Sequence, residues 1–437
     1  MNYKQEIPNT FCTVKLKDIS DIIKTGKTPP ASVRKYVEKG ANFIGSKSIF
    51  DDFIDKNSFL QLNEESLTHL KNCSVEEDDI LLNVTGDGIT FGRNAIVTKE
   101  ILPAYVSQNI AIIRLKKEIV DPKYIMYYLN MPTMKEYINN FSSGSARRAI
   151  SAKNIKEFEL RIPSLSHQKA ISKLLGTLSS KIKINNEMNK TLEEIAQVIF
   201  KHWFGDFEFP NDDGEPYKSS GGNFVESELG MIPDCWEVRS LDQIASYQNG
   251  LAMQKFRPIK EENSLPVLKI KELNQGFTDK KSDRCRDDIK ESVQVYDGDI
   301  IFSWSGTLLV KVWIGGRAGL NQHLFKVTSD EYPKWFYYYW TKFHLNKFIR
   351  IAADKATTMG HIKRNHLSES FVVIPSKAKL VELDKIMNPI LNSIIKNGVE
   401  IKTLSEIRDT LLPKLMSGEI FVGNVDQEVE SCLQKDN

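Results

Sequence analysis

One pattern of apolar and polar positions is written twice along this chain. Val14 to Gly26 (VKLKDISDIIKTG) runs against Val238 to Gly250 (VRSLDQIASYQNG), give or take a one-residue slip, with Leu16 and Ile19 facing Leu241 and Ile244. Asp79 to Asn83 (DILLN) falls on Asp299 to Ser303 (DIIFS), in both cases an acidic turn followed by a run with the length and apolarity of a buried strand. Ser107-Gln108-Asn109 falls on Asn321-Gln322-His323, and Lys123 to Leu129 (KYIMYYL) on Lys334 to Trp340 (KWFYYYW). The stretch from Ile150 to Ile162-Pro163-Ser164 answers that from Ile362 to Ile374-Pro375-Ser376. The offset between matched positions shrinks from about 225 to about 212, so the second copy is shorter in its loops, where deletions are tolerated. A repeat this long is a duplicated domain and not a solenoid unit. Each copy mixes short apolar runs bounded by Gly, Asp and Asn with one aromatic-rich helix, which predicts an α+β head of roughly 140 residues.

After each head the period changes from strand to helix. Between His167 and Trp203 the apolar positions Ile171, Leu175, Leu178, Ile182, Leu192, Ile199 and Trp203 follow alternating steps of four and three, with Asn185, Asn189 and Ala196 completing the seam. Leu380, Leu383, Met387, Ile390, Ile394, Asn397, Ile401, Leu404, Leu411 and Leu415 repeat the spacing, and Pro389 is expected to kink the first part. Each helix would be roughly 55–60 Å long. Either could be a globular core helix, but the length and the absence of internal caps favour a coiled-coil pair. Seam asparagines fix register at a cost in stability if buried, and do nothing of the kind if exposed. The expected boundaries are a first head over 1–165, a helix over 166–204, a linker or surface arm over 205–229, a second head over 230–375, a helix over 376–418 and a polar tail over 419–437. The linker assignment rests on a shift to Asp, Asn, Gly, Pro and Ser.

Composition changes this picture little. The 437 residues carry Lys+Arg 59 against Asp+Glu 57, a net charge of +2, which neither demands nor forbids a polyanionic partner. With 27% charged and 41% hydrophobic residues the body of the chain is expected to fold. Cys12, Cys73, Cys235, Cys285 and Cys432 are scattered without a C-x-x-C pair, which excludes a disulfide framework and a zinc knuckle. No apolar run approaches the length of a membrane span, and a cytoplasmic location is expected.

Several strings imitate catalytic signatures. Gly26-Lys27-Thr28 lacks the upstream glycine of a phosphate loop, since Asp21 stands there. Gly86 to Gly92 lacks G-x-G-x-x-G spacing and reads as a tight hairpin turn. Pro233-Asp234 with Glu237-Val238-Arg239 imitates a metal-dependent nuclease, but its carboxylates are too close and Arg239 replaces the lysine, so a turn leading into the second head fits better. None of the seven histidines forms a ligand pair on a helix, and no metal site or Ser/His/Asp set is expected.

The positive signal is a donor-rich loop before the last strand of each head, spanning 142–153 and 354–365. It offers Ser143, Ser145, Arg147, Arg148 and Lys153 in the first copy, and Lys355, Thr357, Thr358, Lys363 and Arg364 in the second. Small residues admit close backbone approach, hydroxyls donate to phosphate oxygens, and arginine can fork onto guanine in the major groove. One such loop alone would read as solvated surface; its recurrence at the same place in two copies favours a DNA-facing role. Weaker candidates are Lys24, Lys27, Thr28, Arg93, Lys255, Arg257 and Lys311, each of which taken singly reads more readily as an ordinary surface residue than as a DNA contact.

Lys24 to Pro29 (KTGKTP), Ile150 to Ile155 (ISAKNI) running to Ile162-Pro163 and Gln168, Ile199 to Phe207 (IFKHWFGDF), and Gly230 to Trp236 (GMIPDCW) with Leu241 carry a further signal. With these strings the chain resembles, over almost its whole length, the specificity subunit of type I restriction-modification systems. The resemblance implies two target-recognition domains, each reading one half of a bipartite DNA site, held apart by two long antiparallel helices that act as a ruler. It also implies partners: double-stranded DNA, two copies of a modification methyltransferase subunit, and a restriction/translocase subunit. S-adenosylmethionine, ATP and Mg2+ are expected in those partners and no cofactor in this chain, which is expected to direct adenine methylation and cleavage without being an enzyme. The second head departs from the pattern, with Gln248 to Ala252 (QNGLA) replacing T-G-x-T-P and Pro375-Ser376-Lys377 lacking the usual acidic-Gln continuation. Divergence between the heads predicts an asymmetric site. The rival readings are a coiled-coil scaffold that bridges proteins, and a single-chain DNA methyltransferase or nuclease, whose S-adenosylmethionine loop and N/D-P-P-Y/F string the chain lacks.

Overall fold

The structure, a computed structural model, describes residues 11–87, 89–142, 148–258, 263–354 and 360–422. They fall into two compact units, one made of residues up to Ser180 together with those from Ser405 onward, the other of Lys181–Leu404.

The first unit contains strands β1 (Cys12–Lys15), β2 (Ser20–Thr25), β3 (Tyr36–Ile44), β4 (Leu60–Leu62), β5 (Ile80–Asn83), β6 (Thr85–Gly86), β7 (Asn94–Ile96), β8 (Ala104–Val106), β9 (Ile110–Leu115), β10 (Arg148–Ala149) and β11 (Glu159–Ile162). An antiparallel sheet of order β2-β9-β5-β7 lies at its centre, with a second sheet of order β4-β3-β8 in which β3 and β8 are parallel. β5 is buried at every position because both faces are covered: Ile80 and Leu82 pack with the aromatic helix Pro122–Asn130, and Leu81 packs with Ile44, Ala104 and Val106. A strand covered on two sides reads as a continuous apolar run. Asp79 makes the turn into it. Its carboxylate accepts from Glu76 N at 2.7 Å and takes a two-pronged contact from Arg114 Nε and Nη2, both at 2.8 Å.

The second unit opens with β12 (Phe224–Ser227) and β13 (Gly230–Pro233), followed by β14 (Glu237–Ser240), β15 (Ser246–Asn249), β16 (Ser264–Leu268), β17 (Arg284–Arg286), β18 (Gln294–Val295), β19 (Ile300–Ser303), β20 (Leu309–Val312), β21 (Ala318–Leu320), β22 (Leu324–Thr328) and β23 (Phe371–Ile374). The order β15-β22-β19-β20 repeats that of the first central sheet, and β16 pairs β21 in parallel as β3 pairs β8. In the first head β1 pairs antiparallel with β11, and in the second β14 pairs likewise with β23. The two-sided burial also repeats, with Ile300 and Phe302 in one cluster and Ile301 in the other. Asp299 takes the place of Asp79, accepting from Tyr296 N at 2.9 Å with Lys326 Nζ at 2.8 Å. The duplication read from the apolar pattern is therefore a duplication of topology.

The long helices are Leu165–Phe204 and Lys377–Ser417. In the first unit Ile171 and Leu175 share a core with Ile407, Leu411 and Leu415. In the second, Ala196, Phe200 and Trp203 share one with Leu383, Met387 and Leu391. There the two helices run antiparallel, and the seam asparagines meet across them: Asn185 Nδ2 donates to Glu400 Oε2 at 2.8 Å, Asn189 Nδ2 to Ile394 O at 3.1 Å, and Asn397 Nδ2 to Asn189 Oδ1 at 3.0 Å. The helix continues unbroken across Pro389, where the pattern suggested a kink. Replacing both members of a hydrogen-bonded pair by apolar groups is neutral or stabilising. The double change Asn189→Leu and Asn397→Leu is therefore expected to hold or raise the melting temperature, whereas Asn189→Leu alone, which strands the Asn397 amide, should lower stability by about 1 kcal/mol. A double variant that melts lower than both singles would contradict this.

Residues 205–229 do not behave as the expected linker. Phe209 stacks on Trp236 at 4.5 Å and on Tyr217 at 4.6 Å, and β12 pairs with β13. The polar composition hid three aromatic residues, Phe207, Phe209 and Tyr217, whose burial against the second head offsets the cost of ordering the segment. The tail from residue 423 onward lies outside the described residues, as does Cys432; Cys12, Cys73, Cys235 and Cys285 are free thiols. Among the described residues no helix is long and apolar enough to cross a membrane, and no cluster of His, Cys, Asp and Glu could hold a metal ion.

Candidate nucleic-acid interface

In the first head β2 and β5 end, and β9 and β7 begin, at the same edge of the central sheet. Four segments meet there, joined by backbone hydrogen bonds. Gly26 N donates to Ile110 O at 2.8 Å, Lys27 N to Val106 O at 3.1 Å, Val84 N to Asn109 O at 2.9 Å and Ile150 N to Val84 O at 2.9 Å. The second head repeats all four: Gly250 N to Leu324 O at 3.1 Å, Leu251 N to Leu320 O at 2.9 Å, Trp304 N to His323 O at 3.4 Å and Ile362 N to Trp304 O at 3.0 Å. The approach is so close that a Cβ on Gly26 would sit 2.3 Å from Val106 O, and one on Gly250 2.2 Å from Leu320 O.

This edge gathers much of what the sequence singled out in the first head. Lys27 is exposed and Thr28 half-buried on the loop after β2, while Lys24 lies within β2, opposite Ile112. Arg93 carries its guanidinium 4.9 Å above the Phe50 ring, and its carbonyl accepts from Asn83 N at 2.9 Å. Arg148 sits on β10, paired with Gly86, and donates from Nη1 to Asn139 Oδ1 at 2.7 Å. Lys153 is exposed on the short helix Ala152–Lys156. The glycine-rich turn after β6 is clamped by Asp87, whose Oδ1 accepts from Thr90 N and Thr90 Oγ1 at 2.8 Å and from Ile89 N at 3.1 Å. Those donors hold its carboxyl below the usual range. Ser143, Ser145 and Arg147 lie outside the described residues.

In the second head the candidates divide. Lys255, Arg257 and Lys363 are exposed. Arg364 is also exposed but tethered, its guanidinium 5.5 Å from the Phe325 ring centre and its Nη2 donating to Tyr247 O at 3.1 Å. Lys311 turns inward, donating to Asn274 O at 2.7 Å, and burial lowers its pKa. Lys355, Thr357 and Thr358 lie outside the described residues.

The structure adds residues that sequence reasoning passed over. A cleft of about 530 Å³ opens beside the second loop cluster, lined by Arg257, Lys269, Asp283, Arg284, Gln322 and His323 among others. His323 has Ser305 Oγ 3.0 Å from Nδ1 and Gln322 Nε2 3.2 Å from Nε2, and its ring lies 5.8 Å from Trp304. The signal was present in the repeat, where a polar triplet between two apolar strands recurs. It served only to align the copies.

A family model described as the type I restriction modification DNA specificity domain matches residues 8–194 and again 233–408. The chain is 26% identical over 431 residues to the MjaIX type I restriction enzyme specificity subunit of Methanocaldococcus jannaschii, covering 95% of each chain. It is 22% identical over 424 residues to the HindI type I restriction enzyme specificity subunit of Haemophilus influenzae, covering 83% of this chain and 92% of that one. Among solved structures, the crystal structure of the type I restriction-modification S subunit from M. genitalium aligns with a TM-score of 0.55 at 15% identity, over 95% of this chain and 98% of that one, which shows the shared fold.

Proposed function

This chain belongs to the family of type I restriction-modification DNA specificity domains, a non-catalytic recognition component, and from that premise we propose that its two heads read the two halves of a bipartite, asymmetric duplex DNA site. The observation that supports this best is the set of four backbone hydrogen bonds repeated at the loop edge of each head. The same scaffold presents different side chains, Asn109 and Arg148 in one head against His323 and Gly360 in the other. Equal scaffolds with unequal readers suit unequal half-sites.

In this reading the long helices keep the half-sites at a set spacing and carry the partners. Ile184, Met188, Ile195 and Val198 are all exposed along the first long helix, an apolar stripe suited to a docked subunit. Two methyltransferase subunits and a restriction/translocase subunit would bring S-adenosylmethionine, ATP and Mg2+, with adenine methylated at each half-site. Titration of the assembled methyltransferase complex with duplex DNA over a salt series is expected to give a steep negative log–log slope. A flat slope would favour the protein-bridging scaffold. Changing Arg147 and Arg148 together to Ala is expected to cost about 1–3 kcal/mol and to relax recognition in one half-site only. An unchanged sequence preference would remove that loop from the interface.

A further inference from the structure

We propose that Gln108 and Gln322 are equivalent specificity determinants, each reading an adenine·thymine pair at the same position of its own half-site. The inference rests on the DNA-reading function proposed above. The turn between β8 and β9 is Ser107-Gln108-Asn109, and that between β21 and β22 is Asn321-Gln322-His323. Around the central glutamine three contacting positions change: Ser107 becomes Asn321, Asn109 becomes His323, and Val84, bonded to the turn, becomes Trp304. The glutamine does not.

Its backbone is held alike in both heads. Ile110 N donates to Ser107 O at 3.1 Å and Leu324 N to Asn321 O at 3.0 Å, closing the turn. From the second sheet, Ile44 O accepts from Ser107 N at 3.1 Å and Leu268 O from Asn321 N at 3.1 Å. Gly26 and Gly250 press on the same turns from the other side, closer than any side chain would allow. Two heads that have diverged in so many contacts therefore carry a glutamine on the same backbone frame, and in the second head Gln322 Nε2 lies 3.2 Å from His323 Nε2. Gln108 is exposed, and its amide makes no hydrogen bond among the described residues. Gln322 is half-buried beside His323 at the rim of the cleft.

A glutamine amide carries a donor and an acceptor side by side, the complement of adenine N7 and N6 in the major groove. It does not match guanine, which offers two acceptors there. A reader kept unchanged in two heads that read different sequences recognises what the two half-sites have in common.

The test uses the full chain assembled with its methyltransferase subunits, and selects bound sequences from a random duplex pool. Wild type should return a bipartite motif with an invariant adenine in each half. Gln322→Ala should relax that adenine in one half by about tenfold or more, leaving the other half intact, and Gln108→Ala should do the converse. Placing 7-deazaadenine at the shared position should weaken wild type and leave the matching variant unaffected. Gln→Met variants, of similar length, should behave as the Ala variants do, with unchanged melting. If wild type selects no bipartite motif, the function proposed above fails. If it does, but the variants keep both adenines or lose affinity equally for all sequences, the glutamines are not the readers and this inference is overturned.

Discussion

Alanine at Gly250 is expected to lower the stability of the second unit by about 3 kcal/mol, near the upper end of what overpacking costs. The new Cβ would lie 2.2 Å from Leu320 O and 2.3 Å from Asn321 O. Both obstacles are main-chain atoms, so no side chain can rotate away. Each is also tied down, Leu320 O by Leu251 N and Asn321 O by Leu324 N. Relief must come from moving the loop after β15 or the turn before β22, at the expense of those hydrogen bonds, each worth about 1 kcal/mol. In a unit of this size the change corresponds to a fall of roughly 6–12 °C in melting temperature, measurable by calorimetry. Gly26→Ala should act likewise on the first unit, where the obstacles are Val106 O and Ser107 O. A Gly250→Ala protein that melted within a degree of wild type would show that the cross-brace between these loops is not rigid.

The second large effect is expected at Asp79. Its carboxylate is 1% exposed and holds both Arg114 and the Glu76 amide. Removing one member of a buried pair leaves the other charge uncompensated, at about 3–5 kcal/mol. Arg114 keeps a contact with Glu76 and is itself 20% exposed, which places Asp79→Ala at the lower end of that range. Asp79→Asn retains an acceptor for the turn and should lose less. Asp299→Ala supplies the internal comparison: Asp299 and Lys326 are 20% and 16% exposed, so the loss there should be smaller. Equal losses at the two aspartates, read by thermal melting, would contradict the burial argument.

These two sites show how legibility divided. Gly26 and Gly250, like Asp79 and Asp299, stood in matched places of the repeat, so their equivalence was open to anyone comparing the halves. Their roles were not. A glycine is required here by two carbonyls some eighty and seventy residues away in sequence (Val106 and Leu320), and no local pattern encodes that approach. The seam asparagines followed the same course: the heptad spacing placed Asn185, Asn189 and Asn397 on the seam, but only packing showed that they bond across it.

The candidate interface divided along side-chain direction. Lysines and arginines near a recurring loop are visible in a sequence; whether each points outward depends on what lies beside it. Lys311 is half-buried with its ammonium on Asn274 O, and Arg364, though exposed, bonds Tyr247 O, whereas Lys27, Lys255 and Arg257 are exposed. The segment 205–229 packs on the second head for a related reason. Its average polarity is that of a linker, yet burial is decided by individual aromatic rings and by the presence of Trp236 to receive them.

By itself, the sequence determined the duplication, the two α+β heads, the two long helices and the family, because apolar periodicity and repeated strings are properties of the chain read in order. Tertiary structure alone decided which loops converge at the edge of each sheet, which cations bond within the fold there, and that the two matched glutamines stand on equally braced turns. Those facts depend on contacts between residues far apart in the chain, and such contacts exist only once the strands have taken their register.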